Sequence, residues 1–175
     1  TVIPSPFWRM LLSRLSITGA RLFATCNPEG PAHWLKKEFI DKVQPLIYKE
    51  AKKQGLKNPE VIAQLGTAQA IQETGWGKHV VGNNYFGIKA PPSKGGVTAM
   101  TEEYINGQRV RIPQRFEGYS SLEDSVAGYI KFLKVNPRYT KVLQSTSIEE
   151  AIGRIGESGY ATSPTYAGPK KNAEP

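Results

Sequence analysis

Cysteine and histidine are nearly missing from this chain: one Cys26, and only His33 and His79, in 175 residues. A single thiol forbids an internal disulfide and excludes a cysteine-rich zinc site. Neither histidine stands at a metal-ligand spacing, so no metal is expected. Cys26 reads as a small apolar filler. No apolar run approaches the roughly 18–20 residues of a membrane span, so no membrane insertion is expected. The start, Phe7-Trp8-Arg9-Met10-Leu11-Leu12, is too short and interrupted for a signal-peptide core. A Gly-x-x-x-x-Gly-Lys-Ser/Thr phosphate loop is absent. So are zinc-finger and RNA-recognition signatures, and the chain has no internal repeat.

What remains is a chain of one-domain size, 39% hydrophobic and 22% charged, with a formal net charge of +8. Nucleic acid, a membrane surface or an anionic polymer such as bacterial cell wall could each answer that charge, and so could an ordinary solvated surface. The basic residues are scattered (Lys49, Lys52, Lys53, Arg109, Arg111, Lys131, Lys134) with no arginine-rich block.

Residues 1–34 read unlike the rest. A short amphipathic stretch leads to a strand-like run and then the turn Asn27-Pro28-Glu29-Gly30-Pro31. From Leu35 the pattern turns helical: Leu35, Phe39, Val43, Leu46, Ile47 and Ala51 recur at threes and fours, with Pro45 predicting a kink or a fresh start. Gly55 supplies a left-handed cap. Asn58-Pro59-Glu60 predicts the start of the next helix, with Asn58 as its cap. That helix carries Val61, Ile62, Leu65, Ala68 and Ile71 to Glu73. Gly75 and Gly77 stop it, on either side of Trp76. The turn Asn83-Asn84-Tyr85-Phe86-Gly87-Ile88-Lys89 follows.

Beyond a Gly/Pro-rich loop, Asn106-Gly107 between two extended runs predicts a hairpin over 97–112. A two-residue turn puts Glu102 opposite Arg111 and Glu103 opposite Val110. Glu102 then shares a solvated face with Tyr104 and Arg109, and Glu103 lies on the other face without a charge partner from its own hairpin. A one-residue bulge would exchange these roles. Ser120-Ser121-Leu122-Glu123-Asp124 and Ser147-Ile148-Glu149-Glu150 read as capping boxes for two later helices, with a short helix around Val142 between them. The stretch 159–167 is a loop carrying Tyr160 and Tyr166. Helices, a small hairpin and helices again predict a two-lobed α+β body with a cleft between the lobes.

Glu73 closes its helix in the wrong place for a purely structural residue. A glutamate there is ordinarily solvated, but it lies at the negative end of the helix dipole. It also shares a face with Ile62 and Leu65, which are expected to strip water from it; both effects would raise its pKa. A carboxyl that keeps its proton near neutral pH can protonate the leaving oxygen of a glycosidic bond, and a second carboxylate across a cleft can activate water or steady positive charge. Glu103 on the hairpin is the candidate. Trp76, Tyr85, Phe86, Tyr160 and Tyr166 offer flat surfaces for sugar rings.

Four blocks carry a resemblance. They are Ala-Gln-Ala-Ile-Gln-Glu-Thr-Gly-Trp-Gly-Lys (68–78), Asn-Asn-Tyr-Phe-Gly-Ile-Lys-Ala (83–90), Thr-Glu-Glu-Tyr-Ile-Asn-Gly (101–107) and Gly-Tyr-Ala-Thr-Ser-Pro-Thr-Tyr-Ala (159–167). In register, with Asn136-Pro137-Arg138-Tyr139, they resemble glycoside hydrolase family 73 over about residues 38–168. These are peptidoglycan N-acetylglucosaminidases, including the C-terminal domain of flagellar rod-cap proteins. The resemblance implies a mainly α, lysozyme-like α+β fold: a helical lobe and a small β-hairpin lobe with a substrate groove between them. It implies Glu73 as general acid, Glu103 as second carboxylate and Tyr160, or else Tyr166, as a residue that positions substrate. Trp76, Asn84, Tyr85, Phe86, Lys89 and Tyr166 would line the substrate site. Ser163 often is Asp in relatives. The implied activity is cleavage of the β-1,4 bond between N-acetylglucosamine and N-acetylmuramic acid, without a cofactor. A muramidase of the same fold and a non-catalytic wall-binding module are the alternatives.

The implied partner is the peptidoglycan glycan strand, met by a monomer at the bacterial cell wall, with no nucleic acid involved. Residues 19–37, with Thr25-Cys26-Asn27-Pro28, are similar to a segment of phage terminase large subunits, which points to a phage setting. The expected organisation is an accessory segment over 1–34, a catalytic domain over 35–168 and a tail over 169–175.

Overall fold

The computed structural model of the chain describes residues 36–75, 77–105 and 108–160. The proposed accessory segment, Trp76, the turn residues Asn106 and Gly107, Tyr166 and the tail lie outside the described residues. So do the side chains of 36, 37, 102–105 and 109.

The described residues are mainly helical with one small sheet. A π-helical stretch, Lys36–Val43, runs directly into α1 (Gln44–Lys53). Pro45 lies in the first turn of α1, where the missing N–H costs no hydrogen bond, so it marks a fresh start. Gly55, with φ of 74°, ends α1. Its N–H reaches Lys52 O and the Leu56 N–H reaches Ala51 O, the paired bonds of a Schellman cap.

Next comes α2 (Pro59–Glu73). Nine of its residues are buried: Val61, Ile62, Ala63, Leu65, Gly66, Thr67, Gln69, Ala70 and Ile71. A helix apolar on most sides is a central helix. The predicted cap differs in one respect. The Asn58 side chain does not bond the first turn of α2; its Nδ2 donates to Ser145 O across the fold at 2.9 Å. A residue that can cap locally has been used to tie two distant segments.

Four helical segments follow the hairpin: α3 (Leu122–Val135), a 3₁₀ turn Pro137–Tyr139, α4 (Thr140–Leu143) and α5 (Ile148–Glu157). Ser121 caps α3 by accepting from Asp124 N, and Ser147 caps α5 by accepting from Glu150 N. α1 and α5 pack on α2, and α3 packs on α1. α3 also reaches α2 at Gly66, where an added Cβ would stand 2.9 Å from Tyr129 Cε1 and 3.0 Å from Ile47 Cδ1. Phe39, Val43, Ile47, Ile62, Leu65, Tyr129, Ile130, Leu133, Tyr139 and Ile155 fill the core.

The sheet is a single antiparallel hairpin, β1 (Val97–Ile105) and β2 (Gln108–Phe116). Its register is unbulged: Glu103 faces Val110, Glu102 faces Arg111 and Tyr104 faces Arg109, as the two-residue turn requires. β2 runs past Ile112 to Phe116. It accommodates Pro113 because both strands of a two-stranded sheet are edges. Backbone bonds from Ala90 N to Arg115 O and from Glu117 N to Ile88 O fasten the hairpin base to the chain just after the Asn84–Gly87 turn.

Candidate active site

The last turn of α2 is built to present its final side chain. Thr74 is fully buried, and its hydroxyl donates to Ala70 O at 2.7 Å while accepting from Gly77 N at 2.8 Å. The Thr74 carbonyl takes the His79 N–H. Gly75, with φ of 53°, then turns the chain away. Glu73 is left at the rim of the helical body, while Gln69, one turn earlier, is buried.

The expected desolvation of Glu73 by Ile62 and Leu65 does not occur, because Glu73 is exposed. The reason is axial distance. Eight and eleven residues at about 1.5 Å per residue put those side chains roughly 12 and 16 Å down the helix. Sharing a face does not make a contact.

The Glu73 carboxyl stands close to the backbone of Gly87. A Cβ built on Gly87 would lie 2.6 Å from Glu73 Oε2 and 3.2 Å from its Cδ. Gly87 has φ of 63°, a left-handed conformation that glycine adopts freely. The segment before it is held from inside. The turn over 81–84 has Gly82 and Asn83 both at φ of 55°, and Asn84 N bonds Val81 O. Asn84 is then buried, and its amide is saturated. Nδ2 donates to Ile88 O and Glu117 O, and Oδ1 accepts from Phe86 N and Ile88 N.

Two expectations for the groove wall are therefore corrected. Asn84 has no group left for a ligand, because backbone atoms use its whole hydrogen-bonding capacity. Phe86 is 1% exposed and stacks on Tyr129 with ring centroids 4.1 Å apart, so no sugar can reach its face. Both residues build the turn that carries Gly87. Tyr85 is partly buried, and burial, with Glu38 nearby, pushes its phenol pKa up. Lys89 is exposed and lies in backbone register with Phe116.

Tyr160 converges on the same turn. Its hydroxyl donates to Phe86 O at 2.8 Å, and its ring lies against Phe132 and Tyr139. Beneath, Tyr129 OH donates to Gln69 Oε1 at 2.6 Å, so the aromatic ring under Phe86 is bonded to the same helix that carries Glu73. The described residues thus bring Glu73, Gly87, Phe86 and Tyr160 together. Glu103 stands outside that group, three residues before the hairpin turn. By strand spacing it is about 20 Å along the ladder from the Val97–Phe116 base pair. Its register puts position 103 on the face where Ala99, Thr101, Val110 and Ile112 are partly buried, while Thr98, Met100 and Arg111 on the other face are exposed.

Sequence reasoning did not single out Gly87 or Thr74. Gly87 carried a signal, a glycine directly after an aromatic pair; Thr74 carried none. Among the described residues, no group of three or more His, Cys, Asp or Glu could hold a metal ion, and no helix is long and apolar enough to cross a membrane.

This arrangement can be compared with known proteins. A family model described as glucosaminidase, mannosyl-glycoprotein endo-beta-N-acetylglucosaminidase, matches residues 47–171. The chain belongs to this glucosaminidase family, glycoside hydrolase family 73. A peptidoglycan hydrolase FlgJ of Vibrio parahaemolyticus is 39% identical over 165 residues, 89% of this chain and 48% of the relative. The chain therefore spans about half the length of that protein. Among solved structures, a peptidoglycan hydrolase mutant from Sphingomonas sp. A1 is 38% identical with a TM-score of 0.64, covering 73% of this chain and 85% of that one. A glycoside hydrolase domain of Salmonella typhimurium FlgJ is 29% identical with a TM-score of 0.56, covering 75% and 89%. The fold is the mainly helical, lysozyme-like α+β fold of these neighbours.

Proposed function

We propose that this chain is a peptidoglycan hydrolase that cuts the β-1,4 bond between N-acetylglucosamine and N-acetylmuramic acid. The observation that carries the reading is the Glu73 carboxyl, set at the end of the central helix of a glucosaminidase-family fold and seated on the backbone of Gly87. A glycosidic oxygen leaves only when it gains a proton as its bond to C1 breaks. Glu73 supplies that proton and is left as a carboxylate. The positive charge developing at C1 is met either by a water whose proton passes to Glu103, or by the substrate's own acetamido oxygen before water enters. The first route inverts the configuration at C1 and the second retains it, so the same sugars are released as opposite anomers.

Tyr160 stands where its hydroxyl bonds the Phe86–Gly87 peptide, beside the acid, and is assigned to substrate positioning. Tyr85, Lys89, Trp76 and Tyr166 complete the assigned substrate contacts. The net charge of +8 suits an anionic wall, and the chain is read as a monomer acting on peptidoglycan without nucleic acid, cofactor or metal. Residues 35–168 are the catalytic unit in this reading, and residues 1–34 an accessory segment whose terminase likeness suggests a phage setting.

The test is digestion of purified peptidoglycan with identification of the new reducing ends. N-acetylglucosamine at those ends is expected; N-acetylmuramic acid would make the chain a muramidase. Glu73→Gln keeps the shape but has no acidic proton, and should lower kcat about 10³-fold. Its unfolding temperature should be unchanged because Glu73 is exposed. Undiminished lysis by Glu73→Gln would leave a wall-binding module as the better description.

A further inference from the structure

We infer that Gly87 is a positioning residue for the acid: the bare backbone of this one glycine sets where the Glu73 carboxyl can stand. The inference rests on the reading of Glu73 as proton donor and adds the part of the fold that aims it. A Cβ at position 87 would meet Glu73 Oε2 at 2.6 Å, Cδ at 3.2 Å and Cγ at 3.6 Å, with no other atom nearer than these three. The obstruction is thus the far end of one exposed side chain. A methyl group there would push the carboxyl aside and leave the helix and the turn in place.

The other glycines with positive φ show why this position is special. Gly55 (φ 74°) and Gly159 (φ 68°) have nothing within 4 Å of a built Cβ, and Gly82 would meet Val97 Cγ2 at 2.8 Å. Of Gly55, Gly75, Gly82, Gly87 and Gly159, all at positive φ, Gly87 is the one where a side chain would displace a carboxylate. The turn itself cannot retreat to make room. Asn84 clamps it from the amides of 86 and 88, Phe86 is stacked on Tyr129, and Tyr160 holds Phe86 O. Tyr129 is in turn bonded to Gln69, one helical turn before Glu73. Acid and seat are therefore fixed to the same rigid frame, and the seat's lack of a side chain is the remaining free choice.

The geometry makes a separable prediction. Gly87→Ala combines two effects, backbone strain in the left-handed region and displacement of the carboxyl. Gly55→Ala carries the strain alone. The two variants should lose similar amounts of thermal stability. Gly87→Ala should in addition lower kcat by about 10²-fold, the scale expected for misplacing a catalytic group by about an ångström. KM should change by no more than about 3-fold, since an acid that acts in the transition state contributes little to ground-state binding.

Peptidoglycan turnover is measured for wild type, Gly55→Ala, Gly87→Ala, Glu73→Asp and the Glu73→Asp/Gly87→Ala pair, with thermal melts of each. Aspartate withdraws the carboxyl by one methylene, so the Gly87→Ala penalty should shrink to that of Gly55→Ala in the Glu73→Asp background. A full penalty persisting there would overturn the inference, because it would show that the methyl acts on something other than the carboxyl. Equal kcat in Gly87→Ala and Gly55→Ala would overturn it as well. Glu73→Gln run beside them keeps the two readings apart: if it retains turnover, the role of Glu73 fails; if it loses turnover and Gly87→Ala does not, only the seat fails.

Discussion

The helical body and the hairpin are held by different forces. In the body, α2 is buried along nearly its whole length, and Ile47, Ile62, Leu65, Ile130 and Ile155 are at most 2% exposed. In the hairpin, none of the residues whose burial is described is fully buried, and Met100 and Val97 are 53% and 40% exposed. One region is a packed solid; the other is a hydrogen-bonded ladder fastened at its base. The two proposed carboxyls divide between them. Glu73 sits on the solid, at a rim fixed by Thr74 and Gly87, and Glu103 on the ladder near its free end. Substitutions in the body should therefore read out first as stability, and substitutions along the hairpin first as activity.

The strongest way to break that division is a matched pair of deletions. Ile62→Ala in α2 should cost about 3–4 kcal/mol, because the cavity cannot collapse inside a helix packed on several sides. Ile112→Ala on β2 should cost less than ~1.5 kcal/mol, since its side chain is only partly buried. Urea unfolding of both would test it; equal losses would mean that the hairpin belongs to the same core. Asn84→Ala comes next, at about 2–3 kcal/mol. It removes the amide's bonds to four buried or part-buried backbone groups, of which Ile88 O keeps a second donor in Glu117 N, without changing the apolar core. Because the same turn carries Gly87, its loss of turnover should exceed what the stability loss explains.

The division also decides what could be read from sequence. Hairpin register was legible up to the choice between a plain two-residue turn and a bulge; the ladder takes the unbulged pairing, and the period of two follows from it. The caps at Ser121 and Ser147 were legible for the same reason, being local. Asn58 was read as a cap by the same logic and is not one; its partner, Ser145, is 87 residues away, and no local pattern announces it. The site split along the same line. Glu73 could be found as a carboxyl at a helix end. Its exposure could not, since that depended on how far Ile62 and Leu65 lie down the axis. Aromatic residues in a turn look alike whether they line a groove or fill a core. Phe86 fills the core because Tyr129, from α3, stacks on it.

A smaller effect sharpens the comparison at the hairpin base. Glu117 accepts from Tyr119 OH at 2.8 Å and pairs with Lys94 Nζ at 3.1 Å, tying the 91–96 loop to the end of β2. Burial, helped by Glu117, pushes the Tyr119 phenol well above its ordinary pKa, so it remains a donor across the working range. Glu117→Ala should cost about 1 kcal/mol, the scale of one charge-assisted bond and a partly exposed pair. Amide exchange along β1 and β2 should quicken while that of α2 does not. Equal acceleration in α2 would show the ladder and the body opening as one unit.

The smallest effect separates packing from charge inside the body itself. The Thr146 backbone N–H, first, and the Arg154 guanidinium hold the Glu150 carboxyl below the usual carboxylate range, with burial acting the other way. A depressed folded-state pKa gives stability that is present above the unfolded pKa and lost as pH falls through the folded one. Glu150→Gln should therefore melt slightly below wild type at pH 7, by about 1 °C for a solvated pair at a helix start. The gap should close as pH falls through the folded-state pKa, where the wild-type carboxyl is itself protonated. A gap that persisted at low pH would mean that Glu150 supports α5 by the shape of its side chain, and that even the exposed rim of the helical body is held by packing.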